Sequence, residues 1–191
     1  MRTDWFTAAV IATVAAAPLA AIASPRATIT EHSGNVSLGT IILDASPAEV
    51  YALITDYATW PKFLSDVKWT QIKSGGRRDA RVRMYTYSLG HKVTLAFDNI
   101  DGRLIRFSLA DGPPGARASG EYVLDPINNG TRTRINAALY MDVVGAPGLL
   151  FSNSKIRKMR QAKLRADLED GAKEIERRAK AARMNVGLTS G

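Results

Sequence analysis

SKIRKMRQAKLRADLEDGAKEIERRAKAARM, residues 154–184, is the stretch that decides the fold. Within it Ile156, Met159, Leu164, Leu168, Ala172, Ile175 and Ala179 recur at steps of three to five residues, which aligns them as one apolar stripe on a helix. At 1.5 Å per residue such a helix reaches about 45 Å, more than the width of a small domain. A stripe of that length needs an apolar surface to cover, and the chain upstream must supply it. The other positions are dense in charge, with eleven basic and five acidic side chains over residues 153–184, so most of the chain's net charge of +8 sits on this helix. Acids interspersed at helical spacing make an ordinary solvated face; the alternative use of that face is docking on an anionic membrane surface or an acidic protein.

Upstream of the helix the hydrophobic period is two. Residues 67–73, 80–89, 91–100, 104–109, 119–124 and 131–144 read as strands, separated by turn signals at Ser74-Gly75-Gly76, Gly90, Asp101-Gly102 and Asn128-Asn129-Gly130. Turns this short join neighbours as antiparallel hairpins. The last strand alternates most cleanly, with Ile135, Ala137, Leu139, Met141 and Val143 on one face and Arg134, Asn136, Tyr140 and Asp142 on the other. A further strand over residues 35–43 carries Val36, Leu38, Thr40 and Ile42 on one face. It leads into Ser46-Pro47-Ala48-Glu49, where a cap, a proline at the first helical position and a glutamate three residues after the cap specify a helix start. That helix presents Val50, Tyr51, Leu53, Ile54 and Tyr57, breaks around Trp60-Pro61, and is followed by one more short turn over Lys62-Phe63-Leu64. Two Gly/Pro-rich loops, residues 111–116 and 145–148, interrupt the pattern. The order predicts an α+β helix-grip fold: a seven-stranded antiparallel sheet curved around the long C-terminal helix, with two short helices after the first strand.

The remaining boundaries follow from composition. Arg2 precedes an apolar run from Trp5 to Ile22 that closes on Ala21-Ile22-Ala23, the small-x-small pattern of a secretory signal over residues 1–23. Cleavage after Ala23 predicts an exported chain, periplasmic in a bacterial cell; left uncleaved, the same segment anchors it in the inner membrane. Residues 24–34 form a leader, 35–184 the domain and 185–191 a flexible tail. Hydrophobic residues at 46% and charged residues at 23% exclude disorder throughout. The absence of cysteine excludes disulfides, thiolate nucleophiles and Cys-ligated zinc.

Catalytic machinery is thin. His32 falls in the leader and His91 at a strand start, neither with a metal-ligand partner at helical spacing. Ser152-Asn153-Ser154-Lys155 matches S-x-x-K but lacks the companion motifs that would give it meaning, and capping by Ser152 or Ser154 explains it better. Nucleophile-elbow, dinucleotide-binding and P-loop motifs are absent, so no catalytic residue, metal or cofactor is assigned. Nucleic acid is not an expected partner, since basic and aromatic residues are not interleaved on a strand. No feature assigns an oligomeric state.

The stretch Ala45-Ser46-Pro47-Ala48-Glu49-Val50-Tyr51, followed by Asp56-Tyr57 and Trp60-Pro61-Lys62-Phe63-Leu64, resembles the START-like superfamily, the SRPBCC group of polyketide cyclases, coenzyme Q-binding proteins and lipid-transfer domains. The resemblance runs from about Val36 to Ala179. It implies an apolar ligand held between sheet and terminal helix, and some members are enzymes in that same cavity. Met84, Phe97, Phe107, Tyr122, Leu139, Met141, Phe151, Ile156 and Met159 are the expected pocket lining, although the same residues equally make an ordinary core. Thr86, Ser108 and Tyr122 are the expected orienting polar groups, and Gly112, Pro113, Pro114, Gly145, Pro147 and Gly148 the loops that gate entry. The expected function is binding or transfer of a hydrophobic small molecule such as a lipid, sterol, quinone or polyketide. The alternatives are a cyclase or dehydratase using Tyr122, Tyr87, Arg106 or His91, and a docking module using the basic helix.

Overall fold

Ser46 starts the first helix by reciprocal capping. Its hydroxyl accepts from the Glu49 N–H at 3.4 Å, while the Glu49 carboxylate accepts from the Ser46 N–H at 2.8 Å and from its hydroxyl at 2.7 Å. Helix α1 spans Pro47–Ile54 and buries Val50, Tyr51 and Leu53. It ends earlier than the apolar pattern predicts. A 3₁₀-helix over Tyr57–Lys62 carries Tyr57 and Trp60 into the core instead and accommodates Pro61, whose missing N–H a longer α-helix would have needed.

The computed structural model describes residues 25–32, 35–145 and 152–188. Eight strands form one sheet: β1 (Thr28–His32), β2 (Val36–Leu43), β3 (Val67–Ser74), β4 (Arg81–Thr86), β5 (His91–Phe97), β6 (Leu104–Asp111), β7 (Ala116–Ile127) and β8 (Arg132–Val143). Their order is β1-β2-β8-β7-β6-β5-β4-β3, with every neighbouring pair antiparallel. The expected count of seven is corrected to eight, because β1 lies in what the sequence presents as a leader. Its five residues show no alternation, so periodicity cannot reveal it. The loop expected over residues 111–116 narrows to 112–115, since β6 and β7 take its ends.

The face of β2 is also corrected. Ser37, Gly39, Ile41 and Leu43 point inward and Leu38 is exposed, the reverse of the alternation read from its apolar residues. The terminal helix demands this. A Cβ at Gly39 would stand 2.8 Å from Leu168 Cδ1 and 3.1 Å from Leu164 Cδ2, so only a bare backbone admits those leucines. Ser37 is inward because its hydroxyl accepts from the buried Arg160 Nε at 2.9 Å.

Helix α2 spans Asn153–Leu188, and Ser152 caps its first turn by accepting from the Lys155 N–H at 3.2 Å. Its 36 residues extend about 54 Å. It runs four residues into the segment expected as a flexible tail. Ile156, Leu164, Leu168, Ala172 and Ile175 of the expected stripe are buried against the sheet, with Met159 and Ala179 partly so. Among the described residues no helix is long and apolar enough to cross a membrane. The expected signal segment 1–23, together with Pro147, Gly148 and Phe151, lies outside the described residues.

Candidate functional site

Alternation along the strands aims one row of side chains from each at the underside of α2. Where the helix does not reach the sheet, those rows enclose a cavity of about 450 Å³, a size suited to a small organic ligand. The wall is mostly hydrocarbon. Met84 of β4, Phe97 of β5, Phe107 of β6, and Leu139 and Met141 of β8 meet Ile156 and Met159 of α2 across it.

Aromatic rings form a row through this wall. Trp60 meets Phe97 edge-on at 5.8 Å between centroids, Phe97 lies 6.0 Å from Phe107, and Phe107 lies 6.1 Å from Tyr122. Gly120 makes room for the row, because a Cβ there would come within 2.6 Å of Phe107 Cζ. Behind it Asn99 fixes the ring of Tyr57, donating to the Tyr57 hydroxyl at 2.8 Å and to the Arg77 carbonyl at 2.6 Å. Burial pushes the Tyr57 hydroxyl up to about 12.

Around Lys163, polar groups break the apolar wall. Lys163 of α2 projects into the cavity, donates to Asp167 Oδ1 at 2.6 Å and pairs with Asp66 Oδ2 at 3.5 Å. All three side chains are less than a fifth exposed. Burial pulls the Lys163 ammonium down, but the two carboxylates outweigh it and leave its pKa raised; burial raises Asp167, with Lys163 only partly offsetting it. Tyr122 faces the same carboxylate, and burial first, then the Asp167 charge, hold its phenol well above the usual range. Thr86 completes the group. It is 1% exposed on the inward face of β4, lines the cavity, and its hydroxyl has no hydrogen-bond partner among the described residues.

Met84, Phe97, Phe107, Tyr122, Leu139, Met141, Ile156 and Met159 stand in the cavity wall, as do Thr86 and the loop residues Pro113 and Pro114. Gly112 packs behind that loop, where a Cβ would come within 3.2 Å of Leu109, and Gly145 follows β8 at φ +76° away from the wall. Ser108 lies on the outer, exposed side of β6 and cannot orient a ligand. Tyr87 is 58% exposed, and Arg106 lies on the outer face between Asp98 and Glu121, so neither can act in the cavity. His91 stands exposed at the rim.

Periodicity missed Lys163 and Asp167 by assigning them to the wet coat of α2. A signal for them existed: stepping by fours from Met159 gives 163 and 167, one helical row from an apolar residue expected in the pocket. Among the described residues no group of His, Asp or Glu is placed to hold a metal ion.

Residues 38–176 match the family model described as polyketide cyclase/dehydrase and lipid transport. The chain belongs to that family. Membership places it among proteins that bind hydrophobic small molecules or cyclise them. Among solved structures it is similar to a START superfamily protein from Mycobacterium smegmatis, at 15% identity and a TM-score of 0.66, over 75% of this chain and 99% of that one. It is similar to the aromatase/cyclase Zhui from a Streptomyces species, at 21% identity and a TM-score of 0.64, over 77% and 96% of the two chains. A di-domain aromatase/cyclase of the steffimycin biosynthetic pathway matches at 13% identity and a TM-score of 0.63, over 76% of this chain and 52% of that one. At such identities these likenesses show the fold. No curated protein matches the chain significantly.

Proposed function

We propose that this protein binds and carries a hydrophobic small molecule of the lipid, sterol, quinone or polyketide kind, in the cavity between sheet and α2. The observation that supports this reading best is a mostly apolar cavity of about 450 Å³ between sheet and terminal helix. Burying apolar ligand surface there contributes about 25 cal/mol per Å², so affinity needs no charged contact. Pro113 and Pro114 line the cavity, and in this reading the ligand enters past them. The apolar segment at 1–23 supports action after export, in the periplasm or tethered to the inner membrane, which cell fractionation checks. Organic extraction or native mass spectrometry of the purified protein tests the carrier reading. A co-purifying apolar molecule is the expected result; none recovered, with no uptake from a panel of lipids, sterols and quinones, overturns it.

One observation favours a second reading, a cyclase or dehydratase. Lys163, Asp167 and Tyr122 bring ionisable groups to the cavity wall, where proton transfer to a bound polyketone is chemically available. Tyr122→Phe and Asp167→Asn would then abolish turnover of an aromatisable polyketone while leaving its binding intact. A binder without turnover fails that test at the first step.

The basic face of α2 supports membrane docking less well than its composition implies. Arg177 and Arg178 both pair with Glu174, and Lys173 with Asp170. Vesicle binding that persists when Arg177, Arg178, Lys180 and Arg183 are exchanged for Gln dismisses this use of the helix.

A further inference from the structure

The polar patch in the cavity is composed in a way that selects among hydrophobic ligands. Lys163 carries three N–H donors, and Asp167 and Asp66 account for two of them. Thr86 offers a buried hydroxyl without a partner among the described residues, on a strand position paired with Val67, next to Asp66, so it enters the cavity from the same end as the Lys163 head. Tyr122 stands elsewhere in the wall, since its lateral row on the sheet runs through Ile105 and Asn99 to Arg78, eight residues before Thr86. The donors and acceptors left over therefore suit an uncharged oxygen atom on the ligand. Charge at this end is unfavourable to an anion, since two carboxylates face one ammonium and both sit out of water. Arg117 and His91 stand at the rim in solvent, where screening makes them weak partners for a carboxylate.

We propose that the cavity recognises a hydrophobic molecule through an uncharged hydroxyl or carbonyl group seated near Thr86 and Lys163, and that it rejects molecules presenting a carboxylate there. This rests on the cavity being a ligand site, as argued above.

Three bicyclic probes separate the two ideas by titration against the purified full chain at neutral pH: naphthalene, 2-naphthol and 2-naphthoate. Naphthalene binding reports the cavity alone. The expected order places 2-naphthol about fivefold tighter than naphthalene, and 2-naphthoate about tenfold weaker than 2-naphthol. Thr86→Val, which keeps the side-chain shape, should remove most of the preference for 2-naphthol and leave naphthalene unchanged. Thr86→Ser, which keeps the hydroxyl, should retain that preference. Asp167→Asn removes one of the two facing charges, so 2-naphthoate should bind about fivefold tighter to it than to the wild type. The inference is overturned if wild-type protein binds 2-naphthoate as tightly as 2-naphthol, or if Thr86→Val preserves the 2-naphthol to naphthalene ratio. Failure of all three probes to bind defeats the reading of the cavity as a ligand site, and this inference with it.

Discussion

Lys163 shows what a buried charge does when its partners are few. Its ammonium is the counter-charge of Asp167 and Asp66, so Lys163→Met leaves two carboxylates facing each other in a dry wall. Unfolding in urea should show a loss of about 3–5 kcal/mol. Combining Lys163→Met with Asp167→Leu should recover most of it, because the pair leaves together and only Asp66 remains, with Ser88 donating to it at 2.7 Å and 2.8 Å. Equal destabilisation by single and double variants would show that Lys163 acts by packing and not by charge.

At the scale of the element, α2 is held by features of both ends of the chain. Arg160 is 1% exposed, donates to Ser37 and to the Met141 carbonyl, and pairs with Glu31 of β1, which also accepts from Gln161 at 3.0 Å. Arg160→Met should therefore speed amide exchange in β1 by at least about tenfold, an opening eased by roughly 1.4 kcal/mol, with less effect in β4 and β5. Uniform acceleration across the sheet would refute a local clasp. Farther along, hydrogen bonding from Arg177 first, with Arg178 adding to it, holds the Glu174 carboxyl down at about 2 against an ordinary 4.5. A depressed acid stabilises the fold above its unfolded value and loses that contribution as pH falls towards the folded one. Glu174→Gln should be less stable than wild type by about 1 kcal/mol at neutral pH, and the gap should close between pH 4.5 and 2 in acid titrations. Most elements were legible from periodicity: α1 from its capping box, β8 from its alternation, α2 from its stripe. What escaped was set by contacts across the fold. β1 owes its place to Glu31 and Arg160, and the inward face of β2 to a serine and a glycine that hydropathy scores as indifferent. Lys163 and Asp167 face inward because a cavity lies beneath them, and a pattern on one helix cannot report a void on the other side.

For the whole molecule, the cavity makes stability depend on cargo. An apolar ligand at a hundred times its Kd should stabilise the native state by about 2.7 kcal/mol and raise Tm by roughly 5–10 °C. Differential scanning fluorimetry of extracted and ligand-loaded protein measures this, and a Tm indifferent to loading argues for a cavity that nothing enters. The strand order carries a consequence of another kind. β2 lies between β1 and β8, and Glu31 meets Arg160 across 129 residues of chain. The β1-β2 hairpin has no other strand to pair with until β8 exists, and Arg160 reaches it only once α2 has formed. Pairings so distant in sequence raise the contact order and slow the search for them. A polypeptide emerging from a ribosome thus completes its sheet only after β8, the last of the eight strands, is released.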